Sequence, residues 1–474
     1  STAGAHPISS YIYGTNQGDL KAEAKGLTFT RVGGNRLTAY NWETNASNAG
    51  ADYKYQNDTF ISSSKVAGEP MKKAVQDASD AGASMLMTVP IAGWVSADTD
   101  GPCPDKPTSD DEIAKRFFPI LPKKNAAFAY PPDLTDKKVY ADEFVAWLES
   151  QFPSAQTDEA RRIFYSLDNE PDLWAGTHSE IHPAPVTYAE LVKKNIEFAT
   201  AIKDVAPKTL VFGPADYGWA GYVSLQGAPD ANDRDWLEFY LDSMKDAENA
   251  AGKRLLDVLD VHWYPEAQGD GKRITDNGIS PAEVEARVQA PRSLWDATYT
   301  ETSWITQYST NGPINLLPRL LKKIDAHYPG TKLSFSEYSY GAGTHISGGV
   351  AEADVLGIFG RDGVFAAATW ISPTDNYFFG AFSLYRNYDG KGGTFGDTSI
   401  EAKNAATDKS SVYASVSSKD GTNVVVVVIN KGGAPLAAGI TLKHTALLKA
   451  ADVYALTSAG PTPQKGAGLT SVAE

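Results

Sequence analysis

Ile163-Phe-Tyr-Ser-Leu-Asp-Asn-Glu-Pro-Asp-Leu-Trp174 decides the fold. A strand-length run of apolar and aromatic residues ends abruptly in Asn169-Glu170-Pro171. Proline brings no N–H to a hydrogen-bond ladder, so Pro171 terminates the strand. Glu170 is left at the strand's C-terminal end, the edge where parallel barrels keep their reacting groups. Working outward, seven more such runs cover residues 11–16, 29–33, 84–90, 210–214, 256–264, 332–338 and 365–371. Helical patterns fall between them at 69–81, 140–151, 188–205, 235–251 and 316–328, the third with Thr187 as N-cap and Pro207 beyond its end. Alternation of this kind is the mark of a parallel sheet with crossover helices. Eight strands predict a (β/α)8 barrel within residues 1–372. That is longer than the roughly 250 residues typical of the fold, so long insertions are expected at 43–69, 97–139, 172–188 and 266–331.

Past Ser372-Pro373 the texture changes to short strands separated by Gly, Asp and Asn turns. Strands are expected at 377–388, 411–417, 423–430, 439–443 and 451–455, with Lys419-Asp-Gly-Thr422 as a hairpin turn. Residues 373–474 therefore read as a β-sandwich domain, to which N-terminal residues can contribute. The Gly/Pro/Ser-rich tail from Ser458 reads as a linker or an incomplete last strand.

The 474 residues carry a formal net charge of −15, which disfavours nucleic acid and anionic membranes as partners. No run approaches the ~20 apolar residues of a membrane span. The single cysteine, Cys103, excludes an intrachain disulfide framework and a cysteine-based zinc site. Cysteine scarcity suits a secreted protein. Ser1-Thr-Ala-Gly-Ala5 has no charged and apolar leader pattern, so the expectation is an extracellular protein with any signal removed.

Four stretches carry chemistry. Glu170 ends strand four. Glu337, in Lys332-Leu-Ser-Phe-Ser-Glu-Tyr338, ends strand seven, and a carboxylate in so apolar a run is costly to bury without a role. Asp260, His262 and Tyr264 share one face of strand six. Phe29-Thr-Arg-Val-Gly-Gly-Asn-Arg36 places Arg31 to orient a carboxylate or substrate, and Gly33-Gly34 permits close backbone approach. Two strand-end glutamates facing each other across a barrel mouth meet the needs of glycoside hydrolysis, one protonated to release the leaving oxygen and one ionised. Trp42, Trp94, Trp174 and Trp219, beside polar loop residues, are expected to stack on sugar rings, with Asn35 and Trp370 among the further substrate contacts.

Six stretches together resemble glycoside hydrolase family 44, the endoglucanases and xyloglucanases within the retaining barrel glycosidases. They are Tyr13-Gly-Thr-Asn-Gln17, Arg31-Val-Gly-Gly-Asn-Arg36, Tyr40-Asn-Trp-Glu43, Ser166-Leu-Asp-Asn-Glu-Pro171, Asp260-Val-His-Trp-Tyr-Pro-Glu266 and Ser336-Glu-Tyr338. The resemblance implies Glu170 as acid/base and Glu337 as nucleophile. It implies supporting roles for Arg31, Asn169, His262 and Tyr264, and a β-glucan or xyloglucan as partner of a monomeric enzyme. It implies no cofactor for the chemistry. It also implies a structural calcium, for which Glu43, Asp133 and Asp136 are the candidate ligands, since Ca2+ takes several hard oxygens. Other barrel glycosidases, such as a mannanase or xylanase, would use the same glutamates. A carbohydrate-binding protein without catalysis would share the sandwich and the surface tryptophans.

Overall fold

The computed structural model describes residues 4–16, 26–419, 423–443 and 450–470. Eight strands form a closed barrel in sequential order: β1 Gly14–Asn16, β2 Phe29–Val32, β3 Ser84–Val89, β4 Ile163–Leu167, β5 Val211–Asp216, β6 Val258–Trp263, β7 Lys332–Tyr338 and β8 Ala366–Thr369. Every strand lies at an expected run. β2, β3 and β4 pair in parallel, with Phe29 opposite Ser84 and Ile163 opposite Met85. Every residue of β3, β4, β5 and β6 is buried. Parallel barrel strands are covered on both faces, which is why they read as continuous apolar runs rather than alternating ones.

The expected helices appear nearly in place, at Glu69–Ala81, Ala141–Gln151, Tyr188–Val205, Trp236–Ala251 and Leu316–His327. Thr187 caps Tyr188–Val205 by accepting the Glu190 N–H at 3.1 Å. Asp235 lies outside its helix as the N-cap and accepts the Glu238 N–H at 3.1 Å. The insertions after β2 and β3 fold into small sheets: Ser47–Asn48, Gln56–Asp58 and Gly101–Pro102 form one, and Trp94–Ser96, Phe117–Leu121 and Val139–Tyr140 another.

The strand expected at 377–388 is instead a helix, Asn376–Arg386. Its buried residues are Phe378, Gly380, Ala381, Phe382 and Tyr385. Phe378, Ala381, Phe382 and Tyr385 recur at i, i+3, i+4 and i+7, one face of a helix, and the density of aromatics masks that period. Helical structure thus continues beyond residue 372, and this helix follows β8. The C-terminal β-sandwich domain is built on an antiparallel sheet of His6–Pro7, Thr398–Ile400, Ser410–Val416 and Val424–Asn430. His6–Pro7 pairs antiparallel with Thr398–Ile400 in that sheet. The turn at 419–422 lies largely outside the described residues. Residues 439–443 are not a strand. The tail after Ser458 is not a linker: Gly460–Lys465 pairs antiparallel with Tyr454–Thr457, and Leu469–Thr470 with Ala450–Ala451.

By contacts the chain divides into two units, Phe29–Trp263 with Leu320–Glu337, and Ser1–Thr28 with Tyr264–Arg319 and Tyr338–Glu474. The candidate site and its supports described next belong to the first. No described helix is long and apolar enough to cross a membrane.

Candidate active site

Glu170 follows β4, and Glu337 is the penultimate residue of β7. Both are largely buried. Glu170, His262 and Glu337 each bring one side-chain oxygen or nitrogen into a cluster whose atoms all lie within 4.8 Å of one another. His262 Nδ1 is 2.9 Å from Glu170 Oε1 and 3.8 Å from Glu337 Oε2. Such a spacing also suits a metal ion. Arg31 argues against one, because its guanidinium already places a fixed cation on Glu337, with Nη1 2.8 Å from Oε2.

Arg31 is fully buried and reaches two groups at once. Nη1 donates to Glu337, and Nη2 donates to Asn169 Oδ1 at 2.7 Å. A Cβ at Gly33 would lie 2.2 Å from Arg31 Cζ, so only glycine leaves room for the guanidinium. Gly34, with φ 85°, turns its N–H onto Asn169 Oδ1 at 3.2 Å. The close approach expected of Gly33-Gly34 thus serves the arginine. With Asn169 Oδ1 taken by two donors, its Nδ2 faces Asn35 Oδ1 at 3.3 Å. Asn35 Nδ2 in turn donates to Asp52 Oδ1 at 3.0 Å.

Electrostatics separate the roles. Burial pushes Glu170 up to about 7, against the pull of Arg31 and with a further push from Asp52. A carboxyl in that range holds a proton at mildly acidic pH, as a general acid must. Burial brings His262 down to about 4, although Glu337 and Asp260 pull it upward. The imidazole is therefore neutral. In its Nδ1–H tautomer it donates to Glu170 Oε1.

Supports invisible to motif reading surround this set. Asp168 is fully buried: Oδ1 accepts from Thr38 Oγ1 at 2.6 Å, and Oδ2 from the Ile91 and Ala92 N–H groups at 2.5 and 3.1 Å. It ties the end of β4 to the loop after β3. Buried His178 has Nδ1 2.8 Å from Glu180 Oε1 and Nε2 2.7 Å from the Asn35 carbonyl. Both partners only accept, so the ring is held as imidazolium and its pKa is raised, chiefly by Glu180 against the cost of burial. The sequence signal for these residues was a polar side chain beside an apolar run, which is too common to single them out.

The tryptophans divide. Trp42 is 2% exposed and packs against Phe144 and Trp147, and Trp174 is fully buried against His182. Neither presents a face to a sugar, so the stacking expected of them is corrected: they are core residues under the loops. Trp94 is half-buried, at the start of the strand Trp94–Ser96. In the second unit, Tyr264 follows β6 directly and is half-buried, and Trp370 follows β8 and is 38% exposed.

Of the proposed metal ligands, Glu43 is buried whereas Asp133 and Asp136 are exposed. The three are not drawn into one tight set of ligand atoms among the described residues. Asp133 accepts from Thr135, and Asp136 from Lys138 N and Tyr140. Burial pushes Glu43 up to about 8, helped by the negative charges of Glu143, Asp136 and Asp133 and opposed by Lys124. Glu143, which sequence reading missed, accepts Lys124 Nζ on Oε1 at 2.6 Å, and its Oε2 is buried with no partner among the described residues.

A parallel barrel with two buried carboxyls at the ends of strands four and seven, one with its pKa raised by burial and one paired to arginine, is the arrangement of a glycoside hydrolase. The chain belongs to glycoside hydrolase family 44. The sequence model of that family matches residues 46–267. The chain is 43% identical to "Endoglucanase A" of Paenibacillus lautus, over 98% of this chain and 68% of that protein. Among solved structures it is similar to a family 44 endoglucanase from Clostridium thermocellum, with 40% identity, a TM-score of 0.91, and 99% and 94% of the two chains covered. It is also similar to a Paenibacillus polymyxa family 44 xyloglucanase solved with xyloglucan, with 39% identity, a TM-score of 0.92 and the same coverage.

Proposed function

We propose that the protein is a secreted endo-β-1,4-glucanase that cuts plant cell-wall glucans, xyloglucan among them, by retaining double displacement. The observation that carries this reading is the pair of oxygens on Glu170 and Glu337 within 4.8 Å of each other. Retaining enzymes hold their carboxyls about 5–5.5 Å apart, too close for an intervening water. Glu170 protonates the glycosidic oxygen while the Glu337 carboxylate attacks the anomeric carbon, giving a glycosyl-enzyme. Glu170, now ionised, takes a proton from water, which attacks the same carbon and releases Glu337. Arg31 holds Glu337 in place throughout. A polymer of this size does not cross a membrane, which fits action outside the cell.

Endo action is the reading we attach to the long insertions after β2 and β3, which fold into small sheets of their own. Viscosity of a soluble β-glucan is expected to drop much faster than reducing ends accumulate. Parallel assays on xyloglucan, carboxymethylcellulose, mannan and xylan rank the substrates. Early release of only mono- or disaccharide, with little loss of viscosity, rejects the endo reading. Faster cleavage of mannan or xylan moves the substrate.

For calcium, the acidic set around Glu43 fits a divalent cation by its donor chemistry. It offers hard carboxylate oxygens, a Glu143 Oε2 with no partner among the described residues, and a Glu43 carboxyl that burial, with the like charges around it, pushes up to about 8. Glu43, Glu143 and Asp136 would hold the ion, away from the reacting pair, and its contribution would be structural. Chelation is expected to lower the melting temperature by removing a ligand of the folded state. Turnover well below melting is expected to persist. An immediate, reversible loss of turnover without unfolding contradicts the structural role.

A further inference from the structure

Two buried carboxyls beside Glu170 take no part in the steps above. Asp172 lies in the 3-10 turn Pro171–Leu173, and Asp216 is the last residue of β5. Asp172 Oδ1 accepts the Tyr217 N–H at 3.1 Å, and Asp216 Oδ2 accepts Trp236 Nε1 at 2.8 Å. Both side chains press on Gly221: a Cβ there would lie 2.2 Å from Asp172 Oδ2 and 3.3 Å from the Asp216 Cβ. The remaining oxygens, Asp172 Oδ2 and Asp216 Oδ1, are buried and receive no donor from the described residues. The titratable groups facing the pair are Glu170, Asp260 and the hydroxyls of Tyr188, Tyr222 and Tyr240, with no ion-pair partner among the described residues. Two buried carboxyls without a cation do not both ionise.

The turn they flank is conformationally demanding. Glu170 has φ 44° and Ala215 φ 63°, both left-handed and both bearing a Cβ. Such residues persist only where their surroundings hold them. Glu170 N donates to the Ala215 carbonyl at 2.9 Å, so the two strained residues meet. Asp172 and Asp216 bracket that contact. We infer that Asp172 and Asp216 share a proton and act as a positioning pair, bracing the turn that carries Glu170 against the end of β5. This deepens the reading above and rests on Glu170 being the general acid. Burial, with the Glu170 charge adding, pushes Asp172 up to about 8, and burial with the Asp172 charge holds Asp216 well above the carboxylate range. The brace therefore survives neutral pH and fails in alkali.

The test compares Asp216→Ala and Asp216→Asn with wild type on polymer and on an aryl glycoside whose leaving group needs no proton. A misplaced acid costs on the order of 10²-fold on polymer. Asp216→Ala is expected to show that loss in kcat with little change in KM, and much less loss on the aryl substrate. The asparagine amide can donate to Asp172, so Asp216→Asn is expected to recover most of the polymer activity. In wild type, kcat/KM is expected to fall above pH 7 as Glu170 loses its proton, then more steeply than one proton allows as the pair ionises. In Asp216→Asn the fall is expected to stay at one proton. Equal losses on both substrates, no loss at all, or identical alkaline slopes overturn the inference. If Asp216→Ala does not fold, the slopes of wild type and Asp216→Asn decide alone. Glu170→Ala, run alongside, keeps the two readings apart. If it lacks the leaving-group dependence, the assignment of Glu170 fails. If it has that dependence and Asp216→Ala does not, only the brace fails.

Discussion

Glu170→Ala is expected to lose turnover on polymeric glucan by about 10²–10⁴-fold, the range supplied by a positioned general acid/base. The same variant is expected to retain far more activity on aryl glycosides with good leaving groups, because their departure needs no proton. Azide should then rescue it. The anion needs no general base, attacks the glycosyl-enzyme on Glu337, and gives a β-glycosyl azide after two inversions. Glu337→Ala is expected to be the more damaged variant, since no carboxylate remains to form the intermediate. There azide fills the vacated space, displaces the leaving group directly with help from Glu170, and gives the α-azide. NMR of the two products decides the roles. An α-azide from Glu170→Ala exchanges the assignments, and a first-formed α-anomer from wild type replaces retention by inversion.

Arg31→Ala is expected to have the largest effect on stability. The guanidinium is fully buried and donates at 2.8 and 2.7 Å to Glu337 and Asn169. Deleting one partner of a buried pair leaves the other charge without compensation and typically costs about 3–5 kcal/mol. The denaturant midpoint is therefore expected to fall sharply, and kcat/KM with it, since both the nucleophile and Asn169 lose their anchor. Arg31→Lys separates charge from geometry. One ammonium restores a cation but does not reproduce the planar fork that spans two acceptors, so stability is expected to recover further than activity. An Arg31→Ala protein that unfolds at the wild-type midpoint and turns over normally refutes this account.

Much of the site was legible because its signals are local. A buried parallel strand needs apolar residues on both faces, and Pro171 ends β4 by chain chemistry alone. Glu170 and Glu337 therefore stood out as carboxylates at the ends of runs that should contain none. The same locality misled at 377–388. There, aromatic residues with high strand propensity belong to a helix that buries Phe378, Ala381, Phe382 and Tyr385, and packing outweighed propensity. It misled again at Trp42 and Trp174, whose polar neighbours suggested a sugar-facing surface. An indole beside polar residues packs in a core or stacks on a sugar according to what lies across from it.

The sequence by itself determined the eight strands, the order in which they close, and the two carboxyls that end strands four and seven. Each of these follows from residue types within a few positions of one another. Only the tertiary structure decided which polar residues hold those carboxyls in their roles. Arg31 and Glu337 are 306 positions apart, and His262 and Glu170 are 92 apart. The donors that orient Asp168, the imidazolium at His178 and the bracing pair of Asp172 and Asp216 likewise come from separate strands and loops. Burial sets the protonation of Glu170, His262 and Asp172, and burial is a property of the folded chain. Desolvation and the distance between charges depend on which segments the barrel brings together, and no local stretch of sequence contains that information.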